Sequence, residues 1–125
     1  MAKRVLLAED EPNIVESLSF LLERAGYQVM VEVDGRKALD TVLANTPDVM
    51  ILDVMLPEMD GYEVLRKMRA DVRSKYVPVL MLTAKGQRED RRVAMECGAD
   101  HFITKPFANA DLVAAVEQLA GRAKD

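Results

Sequence analysis

Short apolar runs alternate with helical periodicities five times along this chain. Val5-Leu6-Leu7-Ala8 is apolar without interruption. Pro12 then stands where a first helical turn tolerates it, since the missing N–H would find no partner there. Ile14, Leu18, Leu21, Leu22 and Ala25 recur behind it at three- and four-residue spacing until Gly26 stops them. Val29, Val31 and Val33 alternate with Gln28, Met30 and Glu32, the two-residue period of a strand with one more polar face. Asp34 is placed to cap a second helix carrying Ala38, Leu39, Val42 and Leu43, and Pro47 closes that connection. Val49-Met50-Ile51-Leu52 is apolar throughout and ends abruptly at Asp53. A third helix is predicted after Asp60-Gly61, with Val64, Leu65 and Met68 inward. Val77 to Leu82 reads as a fourth strand ended by Thr83. Val93, Ala94 and Cys97 mark a fourth helix stopped by Gly98, Phe102-Ile103 a short fifth strand, and Leu112, Val113, Val116 and Leu119 a last helix opened by Asn109.

Regular strand–helix alternation predicts an α/β domain, a doubly wound parallel sheet of five strands with five helices on its two faces. Val49–Leu52 and Val77–Leu82 are apolar along their whole length and belong at the centre, where strands are buried on both faces. The alternating second strand and the short fifth, flanked by His101 and Thr104, read as edges. The order 2-1-3-4-5 follows.

Composition narrows the class. A chain of 125 residues, half of them hydrophobic and 30% charged, makes one soluble domain over residues 1–125 with no room for a second core. The longest uncharged apolar run, Tyr76 to Ala84, is far below the roughly 20 residues that span a bilayer. Lys3-Arg4 is followed by too short an apolar stretch for a signal peptide, so a cytoplasmic location is expected, and the single cysteine, Cys97, suits a reducing compartment. The net charge of −4 gives direct nucleic-acid binding no help.

In open parallel sheets, function gathers beyond the carboxyl ends of the strands. Glu9, Asp10 and Glu11 follow strand one, Asp53 follows strand three, Thr83 and Ala84 follow strand four, and Lys105-Pro106 follows strand five. Strands one, three and four are neighbours in the predicted order, so carboxylates, a hydroxyl and an ammonium converge. Like charges raise each other's pKa, and a hard divalent cation with oxygen ligands, Mg²⁺ above all, resolves the repulsion. These are the parts needed to transfer a phosphoryl group onto an aspartate.

Four segments carry a resemblance that covers the whole chain in order: Leu7-Ala8-Glu9-Asp10-Glu11, Ile51-Leu52-Asp53-Val54-Met55-Leu56-Pro57-Glu58-Met59-Asp60-Gly61, Leu82-Thr83-Ala84 and Ile103-Thr104-Lys105-Pro106-Phe107. Together they resemble the signature segments of response-regulator receiver domains of two-component signalling, which share the flavodoxin-like fold. The resemblance implies that Asp53 accepts a phosphoryl group from a sensor histidine kinase or histidine phosphotransfer protein. It implies Mg²⁺ held by Glu9, Asp10, Asp53 and the backbone carbonyl of Met55, Glu9 acting through water. Thr83 and Phe102 match the family's switch pair, Phe102 turning inward as Thr83 moves, and Lys105 matches the phosphate-binding lysine, with a cis peptide before Pro106. The surface of helix four, strand five and helix five would deliver the signal to a downstream target or to an output domain missing here. Beyond phosphoryl transfer onto itself and slow loss of that group, no enzymatic activity is implied.

Other features take plainer readings. Glu9-Asp10-Glu11 before Pro12 could simply favour the helix dipole, but not beside Asp53 at the next strand end. Cys97 reads as a small buried hydrophobe, the methionines as core filler, and His101 as a surface edge residue. Arg88, Arg91 and Arg92 form a solvated face or a partner contact. Arg91 could pair with Asp111 across a dimer, but His101, Ala115 and Glu117 stand where the family's other charge pairs usually do, so a monomer, or a weak dimer once phosphorylated, is expected. Two rivals remain: the regulatory half of a longer DNA-binding or enzymatic regulator, and a Mg²⁺-dependent aspartyl-phosphate phosphatase. The latter would carry a second acid two residues beyond its nucleophile, where Met55 stands.

Overall fold

The computed structural model describes residues 2–84 and 88–122. Five strands, β1 (Arg4–Ala8), β2 (Gln28–Glu32), β3 (Val49–Asp53), β4 (Val79–Thr83) and β5 (His101–Thr104), alternate with five helices, α1 (Pro12–Arg24), α2 (Gly35–Ala44), α3 (Gly61–Ala70), α4 (Arg88–Glu96) and α5 (Asn109–Arg122). All strand pairs are parallel and the sheet order is β2-β1-β3-β4-β5, as the alternation predicts. Residues 85–87 and 123–125 and the side chain of Arg88 lie outside the described residues.

The pleat divides the core in two. Leu6, Ala8, Met50, Leu52, Val79, Met81 and Phe102 face α2, α3 and α4, where they meet Ala38, Leu39, Val42, Val64, Leu65, Met68 and Ala94. Val5, Leu7, Val49, Ile51, Leu80 and Leu82 face the other way, onto Leu18 and Leu22 of α1 and Leu112, Val116 and Leu119 of α5. Alternation along each strand produces this split, because successive side chains leave on opposite faces. Each fully buried Leu, Ile, Val or Met contributes about 1.5–3 kcal/mol. The central strands, apolar on both faces, are buried along their full length.

Helix starts follow local chemistry. Asp34 accepts from the Lys37 amide at 2.7 Å and caps α2, and Asp60 accepts from the Glu63 amide at 3.0 Å and caps α3. Three edges of the reading shift. β4 starts at Val79 rather than Val77, because Pro78 has no N–H for the ladder and the Val77 amide closes a turn onto Ser74 O at 3.1 Å. On edge strand β2, Val29 and Met30 pack against the two core halves while Val31 and Val33 are exposed, so the period-two split into one apolar and one polar face does not hold. Cys97 is half-buried rather than enclosed, with Arg66 Nη1 3.5 Å from its sulfur. Among the described residues no helix is long and apolar enough to cross a membrane.

Candidate functional site

At the carboxyl edge of the sheet, β1 ends at Ala8 and β3 at Asp53, and the two strands are paired. Asp53 is the last residue of a strand buried along its length, and its own exposure is 2%. Glu9 follows β1 directly and is fully buried, whereas Asp10 is exposed. Glu9, Asp10 and Asp53 each present a carboxylate oxygen within 4.8 Å of the others. The structure thus brings together the three acids proposed from sequence.

Hydrogen bonds fix the two buried acids. Glu9 Oε2 accepts from the amides of Asp10 at 3.1 Å and Glu11 at 3.0 Å. Asp53 Oδ1 accepts from the Met55 amide at 3.3 Å, and Oδ2 accepts from Lys105 Nζ at 3.2 Å. Glu9 Oε1 is buried with no aligned hydrogen bond, although Lys105 Nζ lies 3.0 Å from it as an ion pair. Burial raises the pKa of Glu9, against the Glu11 amide and Lys105, which favour the charged form; Asp53 adds to the rise. Burial alone would lower the pKa of Lys105, but the combined pull of Glu9 and Asp53 outweighs it and leaves the ammonium above its ordinary value.

Lys105 comes from the end of β5, across β4. Its amide donates to Thr83 O at 2.7 Å, and the Lys105–Pro106 peptide is cis. Thr83 ends β4 and is buried at 3% exposure, and Ala84 beside it is small and exposed. Phe102 is 6% exposed and already packs into the core half under α4. A phenyl ring has no hydroxyl to be solvated, so burial is unopposed.

The loop from β3 to α3 forms the site's other wall. Val54 and Leu56 are buried within it, while Met55 between them is 69% exposed. Glu58 has a φ of 72°, and the Met59 amide reaches back to Pro57 O at 2.8 Å, a tight γ-turn of the positive-φ kind. The Gly35 amide, 3.0 Å from the same Pro57 oxygen, ties that turn to α2. A Cβ on Gly35 would lie 1.7 Å from Met59 O, so only glycine admits the loop this close. Sequence reasoning missed Gly35 as a support of the site, because the contact joins segments far apart in the chain.

A donor set of hard carboxylate oxygens, one of them buried without an aligned partner, fits a small divalent cation such as Mg²⁺. Beside it stand a buried carboxylate and an ammonium, an oxygen nucleophile and a cation of the kinds that phosphoryl transfer uses.

Comparison with known proteins agrees with this geometry. The family model "Response regulator receiver domain" matches residues 5–117. A response regulator of Chloroflexus aurantiacus is 34% identical over 97% of this chain and 99% of its own, with a TM-score of 0.91. The signal receiver domain of a histidine kinase from Syntrophus aciditrophicus is 38% identical, with 96% and 91% covered and a TM-score of 0.88. The receiver domain of a sensor histidine kinase from Pseudomonas aeruginosa, described with a magnesium ion coordinated in its active-site cleft, is 30% identical, with 97% and 99% covered and a TM-score of 0.89.

Proposed function

Because the chain belongs to the response-regulator receiver family of two-component signalling, whose members work with sensor histidine kinases, we propose that Asp53 is its phosphoacceptor. One observation carries this reading: a buried carboxylate ends a central strand 3.2 Å from Lys105 Nζ, with oxygens of Glu9 and Asp10 within 4.8 Å. An oxygen of Asp53 bonds to phosphorus as the phosphorus–nitrogen bond to a donor phosphohistidine breaks. The imidazole nitrogen keeps the electron pair and takes up a proton.

Glu9, Asp10, Asp53 and the main-chain carbonyl of Met55 would hold Mg²⁺. Bound there, the cation supplies charge to offset the carboxylates and the incoming phosphoryl oxygens. The Met55 amide, which already donates to Asp53 Oδ1, fixes the orientation of the carboxylate. Lys105 supports one phosphoryl oxygen and the Thr83 hydroxyl another.

The aspartyl phosphate carries close to two negative charges where the free carboxylate carries one, and it presents three strong acceptor oxygens. Charge-assisted bonds from Thr83 and Lys105, about 1.5–3 kcal/mol each, together approach the roughly 5.5 kcal/mol that takes a two-state equilibrium from 1:99 to 99:1. Phe102 lies two positions from Thr83 in the β4–β5 register, opposite Met81, and packs in the core half that holds Ala94 of α4. Movement of Thr83 toward the phosphoryl oxygens would hold the Phe102 ring inward and so set the surface of α4, β5 and α5. That surface would serve a downstream protein or a linked output domain, with the domain itself monomeric or weakly dimeric when phosphorylated.

Incubation with acetyl phosphate and Mg²⁺, followed by intact mass, tests the assignment. The native chain should gain one phosphoryl group and Asp53→Asn none. Equal gain in both would overturn it.

A further inference from the structure

Glu11 has no part in the chemistry assigned above, yet its side chain is drawn toward it. It is the N-cap residue of α1, directly before Pro12, with extended backbone at φ −81° and ψ 114°. A short carboxylate, that of Asp, turns back from that position onto an amide of the first helical turn, whereas the longer arm of Glu is free to reach elsewhere. Glu11 makes no such bond. Its Oε1 instead lies 3.4 Å from Lys105 Nζ, 94 positions away in the chain.

The lysine accounts for this choice. Its Nζ lies 3.0 Å from Glu9 Oε1, 3.2 Å from Asp53 Oδ2 and 3.4 Å from Glu11 Oε1, and an ammonium has three N–H groups to offer. Glu9 and Asp53 belong to the carboxylate trio that suits a cation; Glu11 does not. The exposures of the three side chains separate them further: 0% for Glu9, 3% for Asp53 and 60% for Glu11. Of the three, only Glu11 can swing into water without leaving a buried charge behind.

We propose that Glu11 is a positioning residue, a detachable counter-ion that occupies Lys105 while Asp53 is unmodified and slows phosphoryl transfer by competing for the ammonium. The inference rests on Asp53 as the phosphoacceptor. An incoming phosphoryl group must win Lys105 from Glu11, which then turns outward or back onto its own helix. Since exposed ion pairs are weak, releasing this one should speed transfer by about 1.5- to 5-fold.

The test compares the native chain, Glu11→Gln and Glu11→Asp in their rates of phosphorylation by acetyl phosphate with Mg²⁺, read by intact mass at about 0.05 M and 0.5 M salt, on either side of effective charge screening. Glu11→Asp keeps the charge at the mouth of the site, but its shorter arm falls back from Lys105 and suits the N-cap. Both variants should be modified faster than the native chain at the lower salt concentration, and by a smaller factor at the higher, where the exposed pair is screened. Rates at the lower concentration equal to or below the native rate would overturn the proposal. So would acceleration confined to Glu11→Gln, which would mark simple repulsion of the anionic donor. A native chain that gains no mass would overturn the phosphoacceptor reading itself, and this proposal with it.

Discussion

Gly61 and Asp53 meet backbone to backbone: a Cβ on Gly61 would lie 2.3 Å from Asp53 O and 2.9 Å from the Cα of Val54. The Gly61 amide donates to Val54 O at 2.8 Å, so α3 begins on the strand that carries the phosphoacceptor proposed above. In Gly61→Ala the better helix propensity, about 1 kcal/mol, opposes overpacking of about 1–3 kcal/mol against main chain that cannot move aside. Overpacking should win, lowering Tm by several degrees (about 2–8 °C) and slowing phosphorylation by acetyl phosphate. Gly121→Ala, where a Cβ meets nothing within 4 Å, should leave Tm unchanged or raise it slightly. Thermal unfolding of the two variants side by side checks the contrast; equal shifts would show that the close approach is unimportant.

Arg69 is predicted to be the costliest polar side chain to remove. Its guanidinium donates to Gly98 O at 3.0 and 2.9 Å, to Val77 O at 2.7 Å and to Asp100 Oδ2 at 3.0 Å, and Asp100 Oδ2 also accepts from the Val79 amide at 2.8 Å. Gly98, which stops α4 at a φ of 105°, sits against it, and a Cβ there would be 2.9 Å from Arg69 Cγ. Burial lowers the pKa of Arg69 and Asp100 opposes that. Because the pair retains some exposure, the loss in Arg69→Ala should be about 2–4 kcal/mol by urea unfolding, below that of a fully buried pair. Arg69→Lys should recover little, since an ammonium lacks the planar fork. Arg73→Ala, which removes an exposed pair with Asp71, should leave the midpoint in place.

Glu9 makes stability depend on pH in the direction opposite to an ordinary salt-bridged acid. Its folded pKa is raised, chiefly by burial, so the folded state holds the proton more tightly than the unfolded chain. The stability it contributes is present below its ordinary value of 4.5 and is lost as pH rises through the raised value. With a chelator present, Glu9→Gln should therefore gain on the native chain as the pH climbs from about 4.5 toward neutrality. Urea midpoints taken across that range should diverge; parallel curves would remove the argument.

Met55 should set the lifetime of the phosphorylated form. Its side chain is 69% exposed beside Asp53 and offers no group to hold a water. Met55→Asn should hasten loss of the phosphoryl group by about two- to tenfold, by orienting an attacking water, with little effect on folding. Decay of the phosphorylated mass after removal of acetyl phosphate measures it, and an unchanged rate would refute the idea.

The repeating units and the strand order were legible because each apolar run has the period of its own element. Asp53 was conspicuous because nothing in core packing explains a carboxylate directly after Val49–Leu52. Long-range contacts were not legible. Arg69 reads in sequence as one more cation on the polar face of α3, and Glu11 as an acid at a helix start; only the fold brings Gly98 and Lys105 to them. Val31 and Val33 misled because a period of two reports which residues share a face, and at a sheet edge neither face is well covered.

The parity of the strands has an evolutionary corollary. Phe102 and α4 sit on one side of the sheet, α1 and α5 on the other, and few side chains reach both. Substitutions lying farther apart than about 7–10 Å and sharing no partner act additively. Lineages could therefore repack the half under α1 and α5 and the half under α2, α3 and α4 separately, so that the surface of α4, β5 and α5 proposed above, which takes a helix from each half, is open to retuning from either side.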